Sequence, residues 1–406
     1  MKSDRINKIN RIGVTRSASR QQGTQQQNSE NSVNPVKIRP LVPALLAWFG
    51  ANARDLPWRH TLDPYAVWVS EIMLQQTQVK TVIPYFERWM RELPTIKSLA
   101  DASSEKIHKL WEGLGYYTRV RNMQKAAHVI IAQHNGAFPA HFDDVLALPG
   151  IGRYTAGAIC SIAFNQPAPI LDGNVIRVLA RVFGIRENPR DKKTNERLWN
   201  AAGSLVQAAR DFQISDSKPL SRPCSALNQS LMELGATVCT PRQPRCDACP
   251  MEQPCVARRE AIVDQLPNPG ERAVSTARRF AACVIEWRGA LLVRQRPAGV
   301  VNGHLWEFPN AELALKSSRA VARKNLEREL GCALDALVPL TVVKHSITRY
   351  RITLEAFRGE LNGAKPRVEA GTWIAKGQLE RLPFTSAHRR VLSAALRSNS
   401  QTLLAR

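Results

Sequence analysis

The stretch Leu148-Pro149-Gly150-Ile151-Gly152-Arg153-Tyr154-Thr155-Ala156-Gly157 lies between two segments with helical apolar spacing. Two glycines flank one apolar side chain, Ile151, so the chain can turn tightly with backbone N–H groups facing outward. The segment after the turn then starts a helix with its positive end exposed, an arrangement that grips a phosphate without reading bases. A glycine turn alone is a modest signal, because any packed helix pair can need one. A second turn follows at Leu171-Asp172-Gly173-Asn174-Val175, where an acidic residue again precedes a helix. Capping that helix is the ordinary work of an aspartate there.

Around these turns the pattern is helical from Pro40 to about Val256. Apolar residues recur three and four apart in Val67–Met73, Val79–Met90, Ile107–Leu114, Ala126–Ile131 and Val145–Leu148. Pro94, Gly113, Gly115, Gly136 and Pro139 punctuate them, which predicts an all-α domain of roughly ten short helices. Near its end, Cys239, Cys246, Cys249 and Cys255 fall in the spacing C-x6-C-x2-C-x5-C. Four thiols so close, with Pro241, Pro244, Pro250 and Pro254 between them, point to a metal loop. Iron–sulfur centres take cysteine thiolates, whereas structural zinc more often uses two C-x2-C pairs and only one is present. A 4Fe–4S cluster is the favoured cofactor. Cys160, Cys224, Cys283 and Cys332 lack such grouping and read as core residues.

The 406-residue chain carries 57 Lys and Arg against 34 Asp and Glu, a net charge of +23. That excess suits a polyanion, nucleic acid before an anionic membrane surface. The apolar run Leu41–Ala53 is too short to span a bilayer and contains Pro43 and Asn52, and no apolar signal segment opens the chain. The expected compartment is cytoplasmic, nucleoid-associated in a bacterium, and reducing, so the cysteines are not a disulfide set. Residues 1–36 are polar and basic and read as a disordered tail. Residues 257–275, with Pro267, Asn268, Pro269 and Gly270, read as a linker between a helical domain over 37–256 and a second domain over 276–400. In the latter, Arg279–Trp287, Ala290–Arg296, Leu340–His345 and Tyr350–Phe357 have strand character and Val321–Leu330 has helical character, so it is α+β.

Hairpin, downstream aspartate and four-cysteine loop, in that order, resemble the helix-hairpin-helix DNA glycosylase superfamily with an iron–sulfur cluster. Position 154 separates two branches. Endonuclease III-type members carry there a lysine whose amine forms a Schiff base with the sugar; the phenol of Tyr154 cannot. Arg54-Asp55-Leu56-Pro57-Trp58-Arg59, Trp68–Gln78, Gly113-Leu114-Gly115-Tyr116-Tyr117 and Met232-Glu233-Leu234-Gly235-Ala236 are similar to segments of the adenine glycosylase (MutY-type) branch. The resemblance implies a monomeric enzyme acting on double-stranded DNA. It would excise adenine mispaired with 8-oxoguanine or guanine and leave an abasic site with little or no lyase activity. The target nucleotide must leave the stack first.

The resemblance also implies roles. Glu71, set among Val69, Ile72, Met73 and Leu74, is the general acid that protonates the leaving base. Asp172 is the carboxylate that stabilises the cationic sugar, with Asn174 and Tyr154 hydrogen-bonding nearby. Arg54, Trp58, Leu74 and Gln229 line the adenine pocket, Gln76 and Tyr116 work at the lesion pair, and Gly150 and Gly152 form the phosphate-binding hairpin. Cys239, Cys246, Cys249 and Cys255 hold the cluster.

Farther on, Leu292-Val293-Arg294-Gln295-Arg296-Pro297 and Leu305-Trp306-Glu307-Phe308-Pro309 resemble a Nudix-like fold, which in adenine glycosylases inspects the oxidised guanine. The helix that would hold magnesium reads Lys324-Asn325-Leu326-Glu327-Arg328-Glu329-Leu330-Gly331; Asn325 and Arg328 replace two carboxylates, which argues against nucleotide hydrolysis. The recognition tip of relatives, Phe-Ser-His, is matched by Ile347-Thr348-Arg349, so Thr348 and Arg349 are the expected lesion contacts. Competing readings are an endonuclease III-like glycosylase and lyase for oxidised pyrimidines, and a DNA-binding module without catalysis.

Overall fold

The computed structural model describes residues 40–212, 222–271, 274–347, 349–361 and 371–403. The tail at 1–36 and Thr348 lie outside the described residues.

The chain enters through α1 (Leu41–Asn52) and reaches α2 (Pro64–Leu74). Asp63 starts α2 by accepting from the Tyr65 N–H, and Pro64 fits its first turn. Tyr65 through Met73 are all buried, so α2 is a central helix rather than an amphipathic surface one. Next come α3 (Val79–Glu92), α4 (Ile96–Asp101), which opens with a Thr95/Ser98 capping box, and α5 (Ser104–Leu110). α6 (Thr118–Gln133) packs on α4. Trp68, Trp89 and Trp111 are fully buried at the centre. Trp89 Nε1 donates to Tyr65 Oη, which donates to Leu93 O, so these two aromatic tips are satisfied, whereas the Trp68 indole N–H is buried without a hydrogen-bond partner among the described residues.

The chain continues through α7 (Phe142–Ala147), the glycine hairpin, α8 (Arg153–Phe164), α9 (Gly173–Phe183), α10 (Lys192–Arg210), α11 (Pro223–Thr237) and the short α12 (Val256–Arg259). That makes twelve α-helices among the described residues of this domain, against roughly ten expected. The surplus arises because punctuation cuts finer than the apolar period shows. The stretch Ile107–Leu114 is one example: α5 stops at Leu110, and Gly113 (φ +105°) and Gly115 (φ +69°) turn the chain before α6.

The linker expectation for 257–275 needs correction over its first half. Ala257, Ile262 and Leu266 form a small buried cluster, and Arg181 of α9 donates to the Val263 and Leu266 carbonyls. These apolar residues sit too far apart to advertise a core, and the buried arginine that holds them lies in another helix.

The second domain is a mixed sheet with a helix on each face. Its strands are β1 (Thr276–Trp287), β2 (Ala290–Gln295), β3 (Trp306–Glu307), β4 (Asn310–Leu313), β5 (Leu334–Ile347), β6 (Tyr350–Leu361) and β7 (Thr372–Ala375). The path runs β3-β2-β1-β6-β5, with β4 on β1 and β7 on β2; only β1 and β6 are parallel. Alternate residues of β1 feed opposite cores. Ala282 and Val284 meet α15 (Ser386–Leu403) through Val391 and Leu392, while Ala281, Cys283 and Ile285 meet α13 (Arg319–Leu330) through Leu326 and Leu330. The one-turn α14 (Lys376–Leu379) precedes α15. β5 is more than twice as long as its apolar stretch suggested, because a register shift at Pro339/Thr341 masks the alternation.

Candidate active site

Three elements of the helical domain converge at the predicted chemistry. α2 delivers Glu71, which is 5% exposed. The first turn of α8 delivers Tyr154, whose hydroxyl donates to Glu71 Oε2 at 2.7 Å. The turn before α9 supplies Asp172, near enough to raise both neighbours electrostatically. Burial pushes the Glu71 carboxyl up to about 7, with the Asp172 charge adding to it; the Tyr154 hydroxyl and Arg59 pull the other way. Burial also pushes Asp172 up, but donors surround it. Oδ1 accepts from the Val175 N–H (2.7 Å) and Oδ2 from Asn174 Nδ2 (2.9 Å), and both favour the anion, as does Arg177. Asp172 therefore caps α9 and faces Glu71 at once.

Asn174 belongs to a longer relay. Its Oδ1 accepts from Arg177 Nη2 (2.8 Å), while the same guanidinium donates to Gly235 O (2.6 Å) and Cys239 O (2.7 Å). Arg177 thus ties the Asp172 turn to the end of α11 and to the first cysteine.

The residues expected at the adenine pocket stand around a buried ion network. Glu233 on α11 is 1% exposed and accepts from Arg54 Nε (2.6 Å), Arg54 Nη2 (2.9 Å) and Arg59 Nη2 (2.8 Å). Burial alone would raise its carboxyl, yet the two guanidiniums outweigh it and hold the group below the usual range. Arg59 Nε also donates to Gln229 Oε1 (3.2 Å), and Gln229 Nε2 donates to Ser225 Oγ (3.1 Å), which fixes which way that amide faces. Trp58 is buried edge-on against Phe86, and Leu74 is half-buried at the end of α2.

A cleft of about 220 Å³ brings together Gln76, Tyr116, Arg119, Asn122, Pro149 and Gly150. Gln76 (φ +59°) and Tyr116 (φ +48°) both sit in left-handed backbone, and Tyr116 is 47% exposed. Arg119 lies under the Tyr116 ring at 5.9 Å and donates to Ile72 O and Gln75 O, so it joins this loop to the end of α2. In the hairpin, Gly150 takes φ +79°, Ile151 is buried, and Gly152 opens α8 without a side-chain cap.

The HhH-GPD superfamily of base excision DNA repair proteins matches residues 69–203, and the NUDIX domain family matches 281–394. Adenine DNA glycosylase of Homo sapiens is 36% identical over 412 residues, spanning 86% of this chain and 72% of the human one. The Rattus norvegicus adenine DNA glycosylase is 35% identical over 410 residues, 86% and 76% of the two chains. The chain belongs to the adenine DNA glycosylases. Among solved structures, a thermostable thymine-DNA glycosylase covers 55% of this chain and 98% of its own at 28% identity and a TM-score of 0.47.

As an adenine DNA glycosylase, the protein is a base-excision-repair enzyme that removes adenine. In this glycosylase Cys239, Cys246, Cys249 and Cys255 all line one cavity, beside Arg181, whose Nη1 donates to Cys239 Sγ at 3.4 Å. Among the described residues no three candidate ligands gather closely enough for a single metal ion. Four thiols lining one cavity are a donor set of the kind an iron–sulfur centre takes. No described helix is long and apolar enough to cross a membrane. In the Nudix-like domain of the glycosylase, Arg349 sits at the β5–β6 turn, its Nη2 donating to Tyr350 Oη (3.1 Å), and Ile347 pairs with Tyr350.

Sequence reasoning missed Arg59, Arg119, Arg177 and Glu233 as parts of the site. The signal for Glu233 was present: an acidic residue between Leu231 and Leu234 on an otherwise apolar helix face. The arginines gave none, since an isolated arginine in a basic chain reads as solvated surface.

Proposed function

We propose that this glycosylase hydrolyses the N-glycosidic bond of adenine paired with 8-oxoguanine or guanine in duplex DNA and leaves an abasic site. The observation that carries the reading is the buried Glu71, hydrogen-bonded by Tyr154, titrating near 7 and facing Asp172. Adenine leaves poorly as an anion. Glu71, protonated on the oxygen that Tyr154 does not occupy, gives its proton to N7, and the base departs neutral. The bond's electron pair goes with the base, and the sugar becomes cationic. Asp172, held by the Val175 N–H and Asn174, stabilises that cation until water adds at C1′. Arg54, Trp58, Leu74 and Gln229 enclose the base, with Arg59 and Glu233 orienting them.

Tyr154 favours this over the endonuclease III-like alternative, because its phenol is engaged with Glu71 and supplies no amine for an imine. The four thiols would hold a 4Fe–4S cluster, whose part is to make residues 239–255 rigid beside DNA. Through Arg177 the same loop keeps Asn174 and Asp172 in place. Tyr116 and Gln76 occupy the space left at the lesion pair, the hairpin at Gly150 and Gly152 takes a phosphate, and Arg349 contacts the lesion strand. The protein acts as a monomer wherever DNA is kept, with domain limits near 37–266 and 276–400.

Single-turnover release of adenine from an 8-oxoguanine mispair tests the assignment. Glu71→Gln and Asp172→Asn should each slow release by about a thousandfold or more while DNA affinity stays within a few-fold of wild type. Near-normal release by either variant refutes its role. Borohydride should trap no covalent adduct with the wild-type protein.

A further inference from the structure

The C-terminal domain meets the helical domain beside the loop that carries Tyr116. Leu305 is fully buried and belongs to the helical core, not to either core of its own sheet. Nearby, Arg121 Nη1 on α6 donates to Gly303 O (3.1 Å), and the rings of His108 and His304 stack 6.2 Å apart. A second contact centres on Glu112. Its Oε1 accepts from the Phe384 N–H (3.0 Å) and from Arg389 Nε (2.6 Å), both from the C-terminal domain. Its Oε2 takes the Lys109 ammonium (2.8 Å), which also reaches Glu380 O.

Glu112 opens the segment that ends at Tyr116 and Tyr117. Gly113, Gly115 and Tyr116 all sit at positive φ in it. The helical domain holds this segment through its main-chain oxygens. Tyr85 Oη donates to Glu112 O (2.7 Å), Trp111 Nε1 to Gly115 O (3.1 Å), and Arg119 Nη2 to Leu114 O and Gly115 O. The Gly113 position is so close to Tyr85 that a β-carbon there would stand 2.2 Å from its hydroxyl oxygen. A strained, glycine-rich segment takes its position from its anchors. The carboxylate of Glu112, 14% exposed and gripped by a guanidinium and a backbone N–H, is an anchor that the other domain supplies.

We propose that Glu112 is a positioning residue: by holding its carboxylate through Phe384 and Arg389, the C-terminal domain sets the posture in which Tyr116 enters DNA. This rests on the reading of Tyr116 as the wedge at the lesion pair. The link acts on eversion of the nucleotide and leaves bond cleavage to Glu71 and Asp172. Docking of the C-terminal domain on its side of the mispair is thereby felt where the helix is opened.

The test uses the full-length protein and four variants: Arg389→Met, Arg389→Lys, Tyr116→Ala, and Arg389→Met combined with Tyr116→Ala. Fluorescence of 2-aminopurine next to the target adenine follows eversion, and single-turnover release follows cleavage. Arg389→Met should slow eversion about tenfold, and Arg389→Lys should recover most of that rate. Release from DNA whose adenine faces an abasic site, already unpaired, should not change. In the Tyr116→Ala background Arg389→Met should add nothing, the non-additivity of one linked unit. The proposal is overturned if Arg389→Met everts adenine at the wild-type rate, even with a lowered melting temperature. It is equally overturned if the slowing is the same with and without Tyr116. Unchanged eversion by Tyr116→Ala alone removes the wedge reading itself, and the proposal falls with it.

Discussion

At the level of single residues, Glu71 sets how the enzyme answers pH. Its carboxyl is pushed up to about 7 by burial. The acid form of Glu71 and the anion of Asp172 are the working forms, so adenine release under single-turnover conditions should fall tenfold per unit well above pH 7 and fall again in acid, where Asp172, raised by burial, takes a proton. The same shift bears on stability. The unfolded group ionises near 4.5 and the folded one near 7, so between these values the unfolded chain binds fewer protons and stability falls as pH rises. Below 4.5 the penalty is absent; above 7 it is complete. Glu71→Gln removes it, and at pH 8 that variant should resist urea better than wild type, by about 3 kcal/mol, while at pH 4 the two should match. Equal midpoints at pH 8 would mean that Glu71 is already relieved by its neighbours.

At the level of elements, the hairpin divides its labour between two glycines. Gly150 (φ +79°) has no room: a β-carbon would approach Asn122 Cβ to 2.5 Å. Gly152 has open space around a β-carbon, room for the phosphate that we assign to the hairpin. Gly150→Ala should therefore cost about 2–3 kcal/mol of stability by chemical denaturation. Gly152→Ala should leave stability within about 0.5 kcal/mol and weaken DNA binding instead. The hairpin, the cysteine spacing and the apolar setting of Glu71 were legible in the sequence because each is a short-range pattern, complete within one or two turns of chain. Glu233 and its arginines were not, because Arg54 and Arg59 lie 179 and 174 residues from it and meet it only when α11 packs beside the 54–59 turn. Arg177 hid for the same reason: its distant partners stand on α11 and on the cysteine loop, and its own helix gives no sign of a buried charge. The connector was misjudged over 257–266 because Ala257, Ile262 and Leu266, too widely spaced to show a period, make a core only once Arg181 has supplied donors for the Val263 and Leu266 carbonyls.

At the level of the whole molecule, the helical domain with Glu71 and Asp172 and the Nudix-like domain, to which we assign inspection of the opposite base, are joined at Leu305 and Glu112. The tip that would inspect the opposite base has Ile347 and Arg349 flanking Thr348, so it offers donors and a cation but no aromatic ring at 347. A cation favours any DNA strand, whereas a positioned hydroxyl favours one base edge. Removal of adenine opposite 8-oxoguanine and opposite guanine should therefore differ for the wild-type protein, and Arg349→Ala should weaken affinity for both by a similar factor. A wild-type enzyme with identical rates and affinities on the two substrates would mean that this domain only adds binding.

The helix α13 has a consequence for what the second domain can become. Arg328 Nη2 donates to Asn325 Oδ1 (2.6 Å), Arg323 and the Leu334 N–H occupy Glu327, and Arg294 pairs with Glu329. Every acidic group left on that face already serves the architecture. Restoring one lost carboxylate alone would set it against a neighbouring guanidinium or amide, with no divalent ion drawn in. Holding a divalent ion on that helix, and with it cleaving free nucleotides, would take carboxylates at 325 and 328 together.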